Sequence, residues 1–213
     1  MEVWVAYSFL NKNNSERVEE LFDQLPVSIK QSVERYQNPN DRLARKISKL
    51  LLETLIRKRN PYQSFFWDLY QKDDFSKPYI KGSTFDFSGS HSENLVISCL
   101  SPKGKCGIDT EFIQPLDIDI YNDFLHSEER KFIKSHQNPK AAFYEVWVKK
   151  EASLKASGFG ISKELGEIDA HQEKVIIEGD IYFTKPLSLS PDYITYIASD
   201  FRMTNLHTEE IIF

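Results

Sequence analysis

A chain of 213 residues, 40% hydrophobic and 13% aromatic, has enough apolar material to bury a sizeable core. A net charge of −5, a pI near 5.6 and the lack of any common recognition motif argue against a nucleic-acid binder. No apolar run approaches the ~20 residues that span a bilayer, and Met1-Glu2-Val3-Trp4-Val5 lacks a signal-peptide pattern, so a soluble, cytoplasmic protein without membrane contacts is expected.

In chain order, Val3–Phe9 reads as a strand and Ser15–Leu25 as a helix, with Ser15 as N-cap and Glu16 in its first turn. Leu43, Ile47, Leu50, Leu51, Leu55 and Ile56 recur near helical spacing, predicting a long helix over residues 40–58 that ends before Pro61. Phe85–Phe87 and Leu95–Leu100 read as strands flanking a loop that holds His91. Cys99 and Cys106 are spaced for neither zinc nor a disulfide framework and are expected as buried, reduced thiols. Gly107–Phe112 reads as a strand. Ser127 is placed as the cap of a helix with Glu128 and Glu129 in its first turn, and a second helix covers Lys140–Ser157 until Gly158 and Gly160 stop it. Alternating strands around Lys174–Phe183 and Tyr193–Ser199 close the chain.

Strands, helices and more strands in each half predict an α+β fold. Ser101–Lys105 is the best boundary, giving halves 1–105 and 106–213. The first half carries 16 Lys+Arg against 13 Asp+Glu, whereas the second is acidic. Within the first, Arg42, Arg45, Lys46, Lys49, Arg57, Lys58 and Arg59 are opposed only by Glu53, which suits a polyanion or a solvated helix face.

Two short stretches carry the chemistry. In the strand Gly107-Ile108-Asp109-Thr110-Glu111, Asp109 and Glu111 share a face at roughly 6.6 Å between Cα atoms, room for one hard cation. In the helix Trp147-Val148-Lys149-Lys150-Glu151-Ala152-Ser153-Leu154-Lys155, Trp147, Glu151 and Lys155 fall on one stripe. Taken singly, the acidic pair also reads as a solvated strand face, Glu151 and Lys155 as an ordinary i,i+4 pair, and Trp147 as a core anchor. Brought together, the two stretches offer three carboxylates and a lysine suited to a magnesium–phosphate site.

These motifs resemble those of the 4′-phosphopantetheinyl transferases, in particular the long, pseudo-dimeric, surfactin-synthetase-activating branch. The second stretch matches the family helix at Trp147, Lys150, Glu151, Ala152 and Lys155. Upstream, Asp41-Arg42 through Leu52 is similar to the family's basic helix. Ser76-Lys77-Pro78-Tyr79 resembles its Gly-Lys-Pro turn with Ser76 in place of Gly. Phe87-Ser88-Gly89-Ser90-His91-Ser92 resembles its His-containing loop, departing at Ser88 and Gly89, and Phe124–Glu129 resembles the segment between the main motifs. The resemblance covers residues from about 35 to 160.

It implies two similar α+β halves forming an intramolecular pseudo-dimer, active as a monomer. The implied reaction transfers 4′-phosphopantetheine from coenzyme A to a serine of an apo acyl or peptidyl carrier protein, releasing adenosine bisphosphate. Asp109, Glu111 and Glu151 are then the Mg²⁺ ligands. Glu151 or a water accepts the serine proton, and Lys155 contacts the pyrophosphate. Coenzyme A is held by Ser90 and His91, by Arg42 or Arg45 with Lys49 as the lesser candidate, by Lys77 and Pro78, and by Asp109 and Lys155 near the pyrophosphate. The carrier protein is expected on an apolar patch within Phe112–Leu125, rimmed by Lys149 or Lys150, although Phe124 and Leu125 also read as a hydrophobic staple. A catalytically silent homologue that only binds these partners, or an unrelated Mg²⁺-dependent phosphohydrolase, would share parts of the pattern.

Overall fold

The computed structural model describes residues 1–10, 15–59, 66–160 and 165–213. The fold is α+β and is built around two four-stranded sheets. The first sheet contains β1 (Glu2–Phe9), β4 (Asp86–Ser92), β5 (Leu95–Ser101) and β10 (Asn205–Glu210), in the order β10-β1-β5-β4. The second contains β6 (Cys106–Phe112), β7 (Lys174–Ile177), β8 (Asp180–Pro186) and β9 (Tyr193–Ser199), in the order β6-β9-β8-β7. A small hairpin pairs β2 (Tyr70–Lys72) with β3 (Pro78–Ile80).

The period-2 pattern of the strands feeds two cores at once. Val3 and Val5 of β1, with Ile97 and Cys99 of β5, meet Cys106 and Ile108 of β6 and Ile197 of β9 in an apolar layer between the sheets. The opposite faces of β1 and β5 bury Ala6, Val96 and Leu100 against α1 (Ser15–Phe22), α2 (Val27–Glu34) and the long α3 (Pro39–Arg59). On the far side of the second sheet lies α5 (Pro139–Ser157), which packs on β6 and β9; α4 (Ser127–Ser135) precedes it.

Several expectations are met. Helix α3 runs along Leu43–Ile56 as its periodicity indicates, and Gly158 ends α5 in the left-handed region at φ 81. Cys99 and Cys106 are free and fully buried, their Sγ atoms 3.6 Å apart across the seam between the sheets. No helix among the described residues is long and apolar enough to cross a membrane.

Other expectations are corrected. His91 does not sit in a loop: β4 runs through Ser92 and the turn is confined to Glu93-Asn94, because the ladder to β5 continues to Ser92↔Leu95. His126, not Ser127, caps α4; its Nδ1 accepts from the Glu128 amide while the Glu129 carboxylate accepts from the His126 amide. The Lys174–Phe183 stretch is two strands, because Glu178-Gly179 turns the chain with both residues at positive φ. Helix α2 and strand β10 carried too little periodicity to be noticed. Pairing β10 parallel to β1 also carries residues 205–210 into the sheet of the first half, across the division drawn at Ser101–Lys105. Pro61 lies outside the described residues.

Candidate active site

Strand β4 organises the site because its two faces serve different neighbours. Ser88, Ser90 and Ser92 face β6 across the seam. Ser88 Oγ accepts from the Ile108 amide at 3.3 Å, Ser90 donates to Asp109 Oδ1 at 2.7 Å, and Ser92 donates to Glu111 Oε2 at 2.8 Å while accepting from the Phe112 amide. The sequence Ser-x-Ser-x-Ser thus holds the second sheet at the register that presents both acids. The other face carries Phe87, Gly89 and His91 toward α3. His91 Nε2 lies 3.1 Å from Asp41 Oδ1, and a Cβ on Gly89 would come 3.3 Å from Ser48 Oγ.

Helix α5 delivers the remaining groups. It is buried on nearly every side, and Trp147, Glu151 and Lys155 form a half-exposed stripe along it. Gly107 permits the approach: a Cβ there would lie 2.1 Å from the Ala152 carbonyl oxygen and 2.3 Å from the Ala156 nitrogen. No side chain larger than hydrogen fits while helix and strand stay in place. Lys155 reaches over to Asp109 Oδ1 at 2.7 Å. Lys77 closes the end of the helix, with its ammonium on Asp86 at 2.6 Å and on the carbonyls of Ala156 and Cys106. Trp147 packs on Phe143 and Tyr121 as an aromatic anchor.

The three acids sense one another. Burial, followed by the Asp109 charge, pushes the carboxyls of Glu111 and Glu151 above the usual range. Asp109 is only 4% exposed, and its Oδ2 has no hydrogen-bond partner among the described residues. Such an orphaned carboxylate oxygen beside two further carboxylates is a donor set of hard oxygens, the chemistry that Mg²⁺ takes. The set is not drawn into a closed cage. Among the described residues no three His, Cys, Asp or Glu side chains stand poised around one point, and Asp109 Oδ1 is engaged by Lys155 and Ser90.

Two cavities adjoin this cluster. One of about 320 Å³ is mainly apolar and reaches from Leu52 and Phe87 to Pro78, Glu151, Lys155 and Gly158. The other, about 420 Å³, has a more polar wall that includes Arg35, Tyr36, Arg45, Lys72, Ser90 and His91. Arg45 stacks 3.7 Å above the Tyr36 ring and grips both oxygens of Asp41. Arg42 turns away and donates to the Tyr36 carbonyl at 3.1 Å. Tyr36, Tyr70, Lys72 and the Asp41 bridge escaped the reading of the sequence, since they become neighbours only through the tertiary packing of α2, α3 and the small hairpin.

The family model described as the 4′-phosphopantetheinyl transferase superfamily matches residues 105–194, the part that contains Asp109, Glu111, Glu151 and Lys155. The 4′-phosphopantetheinyl transferase gsp of Aneurinibacillus migulanus is 30% identical over 180 residues, covering 81% of this chain and 68% of its own. The chain belongs to the 4′-phosphopantetheinyl transferase superfamily. As a transferase of that class it is also similar to a putative 4′-phosphopantetheinyl transferase of Haemophilus influenzae, at 26% identity over 89% of this chain and 84% of the relative. The 4′-phosphopantetheinyl transferase Sfp of Bacillus subtilis is 29% identical over 59% of this chain and 55% of its own length. The α+β architecture fits the same family.

Proposed function

We propose that this transferase moves 4′-phosphopantetheine from coenzyme A to a serine hydroxyl of an apo carrier protein, using its two sheet-and-helix halves as a pseudo-dimer with the site in the seam. The observation that carries the reading is a cluster in which Lys155 bonds Asp109 and the Asp109 charge acts on Glu111 and Glu151, beside two cavities, one mainly apolar and one lined by basic side chains. An apolar arm joined to a multiply phosphorylated head needs both environments.

The polar cavity suits the nucleotide end, with Arg45, His91 and Ser90 on its wall. Of the two α3 arginines, Arg45 lines that cavity while Arg42 donates to the Tyr36 carbonyl, which supports Arg45 as the phosphate contact once a ligand competes with Asp41 for it. Lys77 has its charge already satisfied, so it and Pro78 act by shaping the turn at the mouth of the apolar cavity. Asp109, Glu111 and Glu151 would hold one Mg²⁺, which when bound neutralises negative charge on the pyrophosphate. Lys155 would transfer its contact from Asp109 to the pyrophosphate. Glu151, or a water beside it, would accept the serine proton.

The carrier protein would meet the Phe112–Leu125 segment, where Ile120 is 68% and Phe124 45% exposed. Lys149 and Lys150 do not rim this segment: both are buried and paired with Glu145 and Glu129. Incubation with coenzyme A, Mg²⁺ and an apo carrier protein, followed by weighing of the carrier, tests the whole reading. The carrier should gain the mass of one phosphopantetheinyl group. An unchanged mass across acyl and peptidyl carriers would reject it.

A further inference from the structure

The apolar and polar cavities share a wall made by Ser48, Lys49, Tyr70 and Gly89. Lys49 stands in that wall with its ammonium donating to the Tyr70 hydroxyl at 2.6 Å, 4.2 Å from the centre of the same ring. Its neighbours along α3 are paired with carboxylates: Arg45 with Asp41, Lys46 with Glu19 and Glu34. Lys49 forms no ion pair with a carboxylate of the described residues.

The groups around it deepen the imbalance. From α3 comes Arg45, whose charge Asp41 shares with His91 of β4. From β2 comes Lys72 beside Tyr70, and Tyr36 faces the same cavity. Across the apolar lobe stand Glu151 and Lys155 of α5. Burial, then the charges of Lys72 and Arg45, pushes the Lys49 ammonium down to about 8. A cation so placed costs free energy in the empty protein, and an arriving anion removes that cost.

We propose that Lys49 is an anion ligand at the junction of the two lobes, where it takes a phosphate group lying between a polar head and an apolar arm. This deepens the coenzyme A reading and rests on it for the identity of the ligand. Gly89 and Ser48 complete the junction without bulk, and the Tyr70 hydroxyl holds the ammonium in place until the anion arrives. Because the contact needs the protonated amine, anion affinity falls as pH rises through about 8.

Calorimetric titration with inorganic pyrophosphate tests this without coenzyme A. At about pH 7, Lys49→Met should bind the probe roughly ten- to hundredfold more weakly than the wild type, the usual effect of losing a charge-assisted contact, and Lys49→Arg should bind it nearly normally. By about pH 9 the wild type should have weakened toward Lys49→Met, whereas Lys49→Arg, always protonated, keeps its affinity. Comparing the two proteins cancels the titration of the probe itself. Pyrophosphate that binds Lys49→Met as well as wild type, or fails to bind wild type, would overturn the proposal. Should Lys49→Met not fold, identical alkaline profiles for wild type and Lys49→Arg would overturn it equally. Coenzyme A is titrated in parallel. Loss of coenzyme A binding alone would sink the donor reading and leave Lys49 standing, whereas coenzyme A binding indifferent to Lys49→Met would do the reverse.

Discussion

Lys155 donates to one oxygen of Asp109 at 2.7 Å, while the other oxygen of Asp109 is buried with no partner. A carboxylate half satisfied and half orphaned stores unfavourable charge in the resting protein, and that charge also acts on Glu111 and Glu151.

Replacing Asp109 with Asn should therefore separate chemistry from stability. The variant should fold at least as well as the wild type by thermal unfolding, because it relieves the mutual repulsion. Its turnover with coenzyme A and carrier should drop roughly 10²-fold or more, the scale on which a preorganised charge in a transition state acts. Glu111→Gln should be milder, since Ser92 holds that side chain at the edge of the cluster. Near-normal turnover by folded Asp109→Asn would remove Asp109 from the site.

Gly107 is the most constrained position of the Gly-Ile-Asp stretch. A methyl group there collides with the backbone of α5 and not with a flexible side chain, so strand and helix must part. Gly107→Ala should cost about 1–3 kcal/mol, as overpacking generally does, and should lower turnover further by moving Glu151 and Lys155 away from Asp109. Urea unfolding and the carrier-mass assay check the two effects; a fully stable and active variant would show that the seam is not closely packed.

Local patterns made much of this legible. The alternation of Val3, Val5 and Ala6, the helical recurrence from Leu43 to Ile56 and the glycine stop at Gly158 each report their own element. The stripe Trp147, Glu151 and Lys155 could be read because helical geometry relates residues close in sequence. What could not be read depends on distant partners. The three serines of β4 align with β6 only once the sheets abut. Strand β10 is a polar edge whose pairing with β1 joins the two ends of the chain. Lys150 misled for the same reason: a lysine on a helix suggests solvent until Glu129 is seen beside it.

His91 couples anion binding to protons. Its imidazole is pushed below its usual pKa of 6.5 by burial and by Arg45, which outweigh the attraction of Asp41. In the ligand-free protein the neutral form is therefore favoured, and the folded state binds fewer protons than the unfolded one between the lowered value and 6.5. Stability from this group is present above pH 6.5 and is lost as pH falls through that window. A phosphate arriving beside the ring should restore the charge, so binding near neutral pH should take up a proton. Coenzyme A calorimetry in buffers of different ionisation enthalpy should show that uptake in wild type and its loss in His91→Asn. Equal uptake in both would place the titrating group elsewhere.

The buried pair Lys150–Glu129 yields a last prediction, about stability. The two side chains are 1% and 0% exposed and meet at 2.7 Å, with Lys150 also donating to the carbonyls of Phe124 and Leu165. Glu129 accepts from the amides of Ala170 and His126, so one pair ties together α4, α5 and the segments before and after them. Burial pushes Glu129 up and Lys150 down despite their attraction, which means that desolvation outweighs the pairing on both sides. Removing one partner should then be worse than removing both. Lys150→Met should cost about 3–5 kcal/mol by leaving Glu129 uncompensated, whereas adding Glu129→Gln should recover part of that loss, because a neutral amide still accepts from one of the two backbone donors. A double-mutant cycle by urea unfolding measures the coupling. Strictly additive losses would mean that the two side chains stabilise the fold independently and that the ion pair itself does not hold α4 against α5.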